Sequence, residues 1–401
     1  LGYPVEVIAG REEARLIYLG VAHTQADAGG RRIVVDIGGG STEFIIGERF
    51  DAHALESLHM GCVSYTKRFF SEGKITRKAF RLAVESAQQE LMNIRSQYLN
   101  LGWKSEIGSS GTIRSVEQAI VANGWGEEGI TQAGLDQVIE HCLNYDTIND
   151  VDIEGVKPDR RQVFIGGLAI LAAVFKSFSI KRMAYSDGAL REGALWDLVG
   201  RSGHEDVRER TLASMQERFY VDRDQAQRVE KTALALFEQV CDDIGAKSEA
   251  KHWLSWAARV HEIGLSIAHS GFHKHGAYLL QHSDMLGFTR QGQLLLALLV
   301  RNHRRKMHPA DLDLLPVRQQ SIALWLVRVL RLAVVINHSR EAYEVPVPSL
   351  KFKRDELNIE FPAGWIEEHP LTMKDLAEEA DLQLASGFSI QLIGCEDSLT
   401  I

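Results

Sequence analysis

A run of three glycines stands between two acidic residues near the start of the chain. The stretch reads Asp-Ile-Gly-Gly-Gly-Ser-Thr-Glu from residue 36 to residue 43, and apolar runs with β-strand character flank it. We expect a tight turn that other residues make poorly, whose consecutive backbone N–H groups converge on an anion with hydroxyl groups as further donors. The candidate phosphate-binding residues of this first loop are Gly38, Gly39, Gly40, Ser41 and Thr42.

The two acids that flank the first loop are candidate metal ligands. Asp36 precedes the glycines and Glu43 follows them. Since carboxylates repel phosphate, their place beside a phosphate site is explained if they hold a hard cation such as Mg²⁺, directly or through water. The alternative is an ordinary glycine hairpin with solvated acids, because glycine hairpins are common.

An acidic pair opens the first predicted helix. Glu12 and Glu13 follow Gly10 and precede a helical run. A carboxylate at a helix start beside a glycine turn can reach into a cleft, and phosphoryl transfer to water needs a group that orients and deprotonates that water. The alternative is that both acids only stabilise the helix dipole.

A second loop with anion-binding character lies further along the chain. Ser109, Ser110, Gly111 and Thr112 occupy a predicted strand-to-helix turn. Helix N-termini present unpaired N–H groups, so these four residues form a second candidate phosphate-binding loop. A serine that merely caps the helix is the alternative.

Histidines and basic residues cluster in the second half of the chain. We interpret them as one wall of a channel for a long polyanion; a solvated helix face is the alternative, because runs of charge usually are that. The candidate channel residues are His269, His273, Lys274, His275, Arg301, Arg304, Arg305 and Lys306.

The elements that must position these residues alternate between strand and helix in the first half of the chain. The patterns predict a strand at residues 5–8, a helix from residue 11, strands at 32–37 and 43–46, and a strand–turn–helix unit at 106–113. Repeated units of this kind indicate an α/β domain.

The periodicity changes twice in the second half. It is helical from residue 205 to about residue 338, and alternating apolar positions appear after residue 345. Alternation of this kind is typical of strands, whereas recurrence every three to four residues is typical of helices. We therefore expect an α/β domain at 1–200, an all-helical domain at 201–342 and a small α+β domain at 343–401.

The charge and composition of the chain limit the classes of function and the cellular compartments that fit it. A net charge of −9 argues against a general nucleic-acid binder but not against a polyanionic substrate, which needs only a local basic patch. No uninterrupted apolar run approaches the roughly 20 residues that cross a bilayer, and no secretory signal is recognisable, so we expect a cytoplasmic protein without membrane insertion. The four cysteines, Cys62, Cys142, Cys241 and Cys395, are too dispersed for a zinc site or a disulfide framework and fit reduced structural thiols.

Together these motifs resemble the exopolyphosphatase/guanosine-pentaphosphatase family, which has the actin-like (ribonuclease H-like) fold shared with acetate and sugar kinases. The resemblance spans essentially the whole chain. Besides the first loop, it is carried by blocks that follow one another in the family's order, at residues 10–16, 60–63, 108–112, 167–171 and 186–193.

The resemblance implies roles for the candidate residues. Glu13 matches the family's catalytic base, and Asp36 and Glu43 match its metal-linked acids, so Mg²⁺ is the implied cofactor, with a monovalent cation as a further option. A homodimer is also implied. A first phosphate loop of the Asp-Leu-Gly-Ser-Asn-Ser type, which the family carries in a preceding half-domain, is absent here. We therefore expect an N-terminal half-domain to be missing.

The all-helical domain resembles that of His-Asp phosphohydrolases. In this chain the residue after His261 is Glu262, where those enzymes have the aspartate of their metal-binding pair. We expect a domain that keeps the helical shape without a working metal site, although these two residues could still bind a metal weakly.

These features favour a Mg²⁺-dependent exopolyphosphatase, in which water attacks the terminal phosphoryl group of polyphosphate in line. Polyphosphate is favoured because the histidine-rich and basic segments suit a long polyanion. The alternative substrate is guanosine pentaphosphate, trimmed to the tetraphosphate by the same chemistry. Two further alternatives are a polyphosphate-linked kinase of the same fold, for which no nucleotide-specific block is recognisable, and a non-catalytic alarmone sensor.

Overall fold

The computed structural model describes residues 5–25, 29–202, 206–246, 248–340, 345–353 and 356–393. The chain divides into two compact units, each described here by itself. The first unit is Ile8–Asp206, and the second comprises Leu1–Val7 and Val207–Ile401.

The first unit is a sheet of six strands with helices on both faces. Its elements, in chain order, are α1 (Gly10–Thr24), β1 (Arg32–Ile37), β2 (Thr42–Glu48), β3 (Asp51–Leu58), α2 (Cys62–Phe69), α3 (Arg77–Leu101), β4 (Ser105–Ser109), α4 (Ser110–Ala122), β5 (Ile130–Thr131), α5 (Gln132–Cys142), a short 3₁₀ helix (Ile148–Asp150), α6 (Pro158–Phe178), β6 (Arg182–Tyr185) and α7 (Leu190–Ser202).

The strands of the first unit lie in the order β3-β2-β1-β4-β6-β5. Strands β1, β2 and β3 pair antiparallel, β4 and β6 continue the sheet parallel to β1, and β5 closes it antiparallel to β6. β1 therefore pairs on both sides, and all six of its residues are buried. A strand buried on both faces is expected to be largely apolar, and Arg32 and Asp36 are the two charged exceptions in β1.

Alternate residues of β1 and β2 face two different hydrophobic clusters. Ile33 and Val35 belong to the larger cluster, which includes residues of α3 and α6, whereas Val34 and Ile45 belong to a smaller cluster with Ile17 and other residues of α1. This division follows from the two-residue period of a strand. The sheet is thus covered on both faces, and α1 is fixed against the face opposite α3 and α6.

Helices α1 and α7 approach each other closely at glycine positions. A Cβ at Gly193 would collide with the carbonyl oxygen of Leu16, and one at Gly20 would collide with the carbonyl oxygen of Ala189. Only a residue without a side chain allows two backbones to come this near. The block at residues 186–193 therefore includes a packing surface that holds the middle of α1 in place.

The second unit combines eight helices and a three-stranded sheet in its described part. Its elements are α8 (Val207–Arg218), α9 (Arg223–Val240), α10 (Ser248–Val260), α11 (Phe272–His282), α12 (Arg290–Asn302), α13 (Val317–Ile336), β7 (Ser349–Lys353), β8 (Glu356–Glu360), α14 (Trp365–Glu368), α15 (Pro370–Leu384) and β9 (Ser389–Ile393), with 3₁₀ turns at Ile263–Ser266 and Pro309–Leu314.

The strands near the C-terminus share the core of these helices. Leu350, Ile359 and Phe388 belong to the same hydrophobic cluster as the residues of α9, α10, α12 and α13. A buried ion pair, Arg331 of α13 with Glu379 of α15 at 2.6 Å, also joins the two regions. The segment expected as a separate third domain at 343–401 is therefore packed, where described, into the second unit.

The predicted strand at residues 5–8 is not formed. Val5 and Val7 are 75% and 58% exposed, and only a single bridge residue, Ile8, precedes α1. Val7 instead pairs with the start of α12: its carbonyl oxygen accepts a hydrogen bond from Arg290 N at 2.8 Å, and its amide donates to Gln291 Oε1 at 3.1 Å. An apolar pattern of four residues does not reveal which partner the backbone will find.

Two helices, α6 and α13, are long and apolar enough to cross a membrane by length and composition alone. The expectation that no stretch approached that length overlooked them, because isolated polar residues interrupt their apolar runs. In the protein 72% and 61% of their apolar windows are buried, as in core helices.

The three cysteines that the structure describes, Cys62, Cys142 and Cys241, are unpaired thiols. Cys395 lies outside the described residues.

Candidate active site

Four polar residues form a row across the end of the sheet. Asp36 on β1 and Glu43 on β2 are directly opposite each other in the strand register. Ser57 on β3 is opposite Glu43, and Ser109 on β4 is opposite Asp36. This transverse row, Ser57–Glu43–Asp36–Ser109, brings the two predicted metal ligands together because adjacent strands place opposed residues side by side.

Each carboxylate of the transverse row accepts a hydrogen bond from the serine beside it. Ser57 Oγ donates to Glu43 Oε1 at 2.8 Å, and Ser109 Oγ donates to Asp36 Oδ2 at 2.5 Å. The other oxygen of Glu43, Oε2, is buried without a hydrogen-bond partner. Because a buried polar atom without a partner is costly, this oxygen is where an additional ligand is expected.

Burial raises the pKa of both carboxyl groups. It raises the pKa of Glu43 to about 7, partly offset by the nearby hydroxyl groups of Ser41 and Ser57, and the negative charges of Glu13 and Asp36 add to the rise. Burial likewise raises the pKa of Asp36, against the hydrogen bond from Ser109. Like charges close together disfavour ionisation, so a bound cation would relieve the repulsion.

The two glutamates at the start of α1 have different surroundings. Glu12 is buried and its two carboxylate oxygens each accept a hydrogen bond from Arg15 at 2.8 Å. Burial, and then the charge of Asp36, raises the pKa of Glu13. Glu13 is therefore the member of the pair that interacts electrostatically with the transverse row, whereas Glu12 forms an ion pair with Arg15 within α1.

The first loop presents backbone amides away from α2. The carbonyl oxygen of Gly38 accepts from Cys62 N at 2.9 Å, and that of Gly39 accepts from Val63 N at 3.0 Å. In a trans peptide the N–H points opposite to the preceding C=O, so the amides of Gly39 and Gly40 point away from that helix. No hydrogen-bond acceptor for these two amides is present in the described chain. These two exposed amides are the donors of the loop that an external acceptor can reach.

The backbone conformation of the first loop does not itself require glycine. None of Gly38, Gly39 and Gly40 has a φ in the left-handed region, contrary to the tight glycine-only turn that we expected. A Cβ on Gly40 would meet nothing within 4 Å, so the surface above its amide is open. Glycine leaves the amide uncovered there, which suits the close approach of a phosphate.

Four hydroxyl groups of the two loops donate hydrogen bonds within the protein. Thr42 is fully buried and its hydroxyl donates to the carbonyl oxygen of Met60, so the expectation that it supplies a further donor is wrong. Ser109, also fully buried, donates to Asp36. Ser110 and Thr112 both donate to the carbonyl oxygen of Ile37, at 2.9 and 3.3 Å. Backbone amides are left as the principal donors.

The second loop is tied to the end of β1 and is strained. Ser110 has a φ of 80°, which is unfavourable for a residue with a side chain. Its hydrogen bond to Ile37 holds it in that conformation. The loop then continues directly into α4, whose N-terminal amides lie at the edge of the transverse row because β4 pairs with β1.

Arg160 is a candidate site residue that the sequence did not reveal. A Cβ on Gly111 would lie 2.5 Å from Arg160 Nη2 and 2.6 Å from its Cζ, so the guanidinium group rests on the second loop. Its neighbour Arg161 pairs with Asp152 at 2.6 Å instead. The two arginines are adjacent at the start of α6, and no pattern in the sequence distinguishes one from the other.

The transverse row fits the hard cation that the sequence implied. The described part of the chain contains no group of three or more His, Cys, Asp or Glu residues placed to hold a metal ion. Mg²⁺, however, is typically held by one or two carboxylates together with water and substrate phosphates. The unpartnered Oε2 of Glu43 beside Asp36 matches that requirement.

The candidate channel residues all lie in the second unit and have mixed roles. Arg301 pairs with Asp311 at 2.6 Å, and Arg304 stacks on the ring of Phe272 at 4.4 Å. His273 is buried, and its burial and then the neighbouring charge of Arg304 lower its pKa to about 4, so it carries no positive charge at neutral pH. The remaining candidates are His269 in the turn before α11, Lys274 and His275 in its first turn, and Arg305 and Lys306 after α12.

His261 and Glu262 face different partners. His261 is buried, with Nδ1 2.7 Å from the carbonyl oxygen of Ala258, and Glu262 forms an ion pair with Arg340. His261 lies beside His303, with 5.3 Å between the ring centroids.

Comparison with known proteins identifies the family that the chain matches. Residues 1–202 match the Ppx/GppA phosphatase family, and residues 207–380 match domain III of Ppx/GppA phosphatases. A guanosine-5'-triphosphate,3'-diphosphate pyrophosphatase of Photobacterium profundum is 40% identical over 392 residues, covering 98% of this chain and 78% of the relative. A protein of the same name from Vibrio campbellii is 39% identical over 396 residues, covering 98% of this chain and 79% of the relative.

Among solved structures, the chain is similar to the Ppx/GppA family member of Aquifex aeolicus. The match has a TM-score of 0.44 and 26% identity, and it covers 51% of this chain and 67% of the other.

The interpretation of the chain as an exopolyphosphatase is wrong. The curated relatives that match nearly its whole length are named for guanosine-5'-triphosphate,3'-diphosphate. The two substrates share the same bond chemistry, so no motif of the catalytic loops separates them. The preference for polyphosphate came from the histidine-rich and basic segments, and two of their members, His273 and Arg301, are an uncharged imidazole and an ion-paired cation.

Proposed function

The chain belongs to the Ppx/GppA phosphatase family and is a hydrolase of phosphoanhydride bonds, and from that premise we propose that its substrate is guanosine 5'-triphosphate 3'-diphosphate. The reaction would release orthophosphate from the 5'-triphosphate and leave the tetraphosphate. The observation that carries this proposal is the near-complete match to relatives named for that substrate, at about 40% identity.

The fold proposed for the first unit is actin-like. Its support is the strand order, in which three antiparallel strands continue into parallel strands β4 and β6, with a glycine loop between β1 and β2. A likeness of the second unit to His-Asp phosphohydrolases remains part of the proposal and rests on the resemblance in sequence.

In the proposed reaction, water attacks the terminal phosphorus in line. Glu13 takes a proton from that water as its oxygen bonds to phosphorus, and the bond from phosphorus to the bridging oxygen breaks. The raised pKa of Glu13 suits this role, because a base works best when its pKa lies near the working pH.

Three groups of the chain would bind the phosphates. The amides of Gly39 and Gly40 face the same side of the first loop, and the N-terminal amides of α4 face the second loop. Arg160 adds a guanidinium group over Gly111, suited to bidentate contact with a phosphate. Fixed donors of this kind stabilise the charge that spreads over the phosphoryl oxygens during transfer.

Asp36 and Glu43 are the residues that would hold Mg²⁺. The ion, when bound, neutralises phosphate oxygens. The role of the chain in this arrangement is to keep both carboxylates adjacent and hydrogen-bonded, so that a cation can stabilise their ionised forms.

The proposal is tested by measuring orthophosphate release with Mg²⁺ from guanosine pentaphosphate and from long-chain polyphosphate, side by side. The Photobacterium profundum relative serves as the positive control. We expect faster release from the pentaphosphate, with the tetraphosphate as the second product identified by ³¹P NMR.

Preference for polyphosphate, or no release from either substrate while the relative is active, would contradict the proposed substrate.

A homodimer and a cytoplasmic location remain proposals that rest on the resemblance. Sedimentation velocity tests the first, and cell fractionation tests the second.

A further inference from the structure

We infer that Ser57 and Ser109 are positioning residues that aim the carboxylates of Glu43 and Asp36 at a shared cation. The inference rests on the proposed function in so far as it takes these two acids to be the cation ligands. It adds two residues that would act through the carboxylates of the site.

The two serines occupy equivalent places on opposite sides of the acids. Reading across the sheet, the order is Ser57, Glu43, Asp36 and Ser109. Each serine donates its hydroxyl proton to the carboxylate on the adjacent strand, at 2.8 Å and 2.5 Å. Each acid is therefore held from its outer side, and Glu43 Oε2 stays unpartnered.

Both hydroxyl groups are held in place by their surroundings. Ser109 is fully buried. Ser57 lies against the start of α1, where a Cβ on Gly10 would be 2.5 Å from Ser57 Cβ and 2.6 Å from its Oγ. A donor with little freedom to turn away orients its acceptor better than a mobile one, since less conformational entropy is lost on binding.

The chemistry of a hydroxyl group suits this task. Hydrogen bonds to a carboxylate favour its ionised form, which a cation requires. A lysine or arginine would do the same but would place a competing positive charge in the site. Within the described chain neither Asp36 nor Glu43 forms an ion pair with a basic residue, in contrast to Glu12, which Arg15 neutralises.

The test is direct measurement of Mn²⁺ binding by electron paramagnetic resonance on the wild-type chain and on Ser57→Ala and Ser109→Ala. Loss of a hydrogen bond to a metal ligand typically weakens metal affinity on the order of 10–100-fold. We expect the Kd for Mn²⁺ to rise by about ten-fold in each variant. Phosphate release should recover towards the wild-type rate when Mg²⁺ is raised, because the reacting groups remain.

Ser115→Ala is the matched control. Ser115 is also buried, and its hydroxyl donates to the carbonyl oxygen of Gly111 at 2.8 Å, so the variant removes a hydroxyl near the second loop without touching a carboxylate. Its Mn²⁺ affinity should equal that of the wild type.

An unchanged Kd in Ser57→Ala and Ser109→Ala, or an equal loss in Ser115→Ala, would overturn the inference. Absence of Mn²⁺ binding by the wild type, both alone and with orthophosphate, would overturn it as well. Wild-type Mn²⁺ binding that weakens in the two variants supports the positioning role even if guanosine pentaphosphate is not hydrolysed; in that case only the proposed substrate fails.

Discussion

Three carboxylates in the first unit interact through their charges, yet each has a different task. Glu13 stands at the start of α1, and Asp36 and Glu43 lie across from each other on β1 and β2. Burial raises the pKa of all three. The energy that burial costs these acids is recovered only when a cation or a proton neutralises them.

Replacement of Glu13 should remove catalysis and leave the fold intact. Loss of a general base typically lowers kcat by 10²–10⁴-fold, so we expect a fall in this range for Glu13→Gln with guanosine pentaphosphate. Rate measurements and thermal unfolding on the same preparation check this. Turnover at the wild-type rate would refute the role of Glu13.

The adjacent variant Glu12→Gln provides the contrast. Its carboxylate binds Arg15 in the α1–α7 contact, so the change should cost stability, about 1–3 kcal/mol for a hydrogen-bonded buried charge. Urea unfolding measures this loss. The kcat of the protein that remains folded should change far less than in Glu13→Gln.

The stability of the metal-free protein should depend on the ionisation of Glu43. Its pKa is about 7 in the folded protein, above the ordinary value of 4.5, so its contribution is fully present below pH 4.5 and is lost as the pH rises through 7. A rise of this size corresponds to on the order of 3 kcal/mol. In EDTA, Glu43→Gln should therefore raise the Tm more at pH 8 than at pH 5.

Differential scanning calorimetry at the two pH values checks this prediction, and addition of Mg²⁺ should shrink the difference at pH 8. An equal change in Tm at both pH values would show that Glu43 is not ionised at a cost in the folded state.

At the scale of elements, the site depends on contacts between helices and strands that carry no catalytic group. Helix α1 is held by the close approach of α7 and by the ion pair of Arg15 with Asp197 at 2.6 Å. Helix α2 donates its first amides to the first loop and so turns the loop amides outwards. In both contacts, the helix that supports the site lies far away in the sequence from the residues that it positions.

A methyl group at the α1–α7 contact should disturb the site. Gly193→Ala places its Cβ against the carbonyl oxygen of Leu16, and overpacking of this kind costs typically 1–3 kcal/mol. We expect lower stability in urea and a reduced kcat, because α1 carries Glu13. Gly200→Ala on the same helix is the control, since a Cβ there would meet nothing within 4 Å.

The elements were easier to predict from the sequence than their partners. The apolar runs around the glycine loop predicted strands at 32–37 and 43–46, and the structure has them at Arg32–Ile37 and Thr42–Glu48. Local periodicity determines such elements. The pairing of Ser57 with Glu43 depends on the register of β3, which shifts by a bulge between Ile46 and Gly47, and no local pattern encodes that shift.

The same limit explains why one expected donor was misassigned. The Thr42 hydroxyl was predicted to assist phosphate binding because its residue type suits it, but it donates to the carbonyl oxygen of Met60 from another segment. Arg160 was missed for the converse reason, since only the fold brings α6 to the second loop. The residue type determines which hydrogen bonds a group can form, and the tertiary structure determines which partners lie within reach.

At the scale of the whole molecule, each unit has its own hydrophobic core. The first unit is built around its six-stranded sheet, and the second around helices whose core includes the C-terminal strands. In the second unit the buried pair of Arg331 and Glu379 also binds the turn after α12, because Arg331 donates to the carbonyl oxygens of Asn302 and Arg305 at 2.7 Å.

Removal of Arg331 should destabilise the second unit strongly. Arg331→Leu leaves Glu379 buried without its partner, which costs about 3–5 kcal/mol. Because Arg331 and Gly193 belong to different units, the losses in Arg331→Leu and Gly193→Ala should add within about 0.5 kcal/mol in the double variant. Urea unfolding of the two single variants and the double variant tests this. A double variant no less stable than Arg331→Leu would exclude independent contributions.

Strand β1 and the first loop also differ in how readily their amide hydrogens exchange with solvent. β1 is hydrogen-bonded on both sides and fully buried, so deuterium can replace the amide hydrogens of its central residues only when much of the unit opens. The amides of Gly39 and Gly40 have no acceptor in the described chain and exchange without any opening. The slowest and the fastest deuterium uptake in the first unit should therefore lie only a few residues apart, at the two ends of one site.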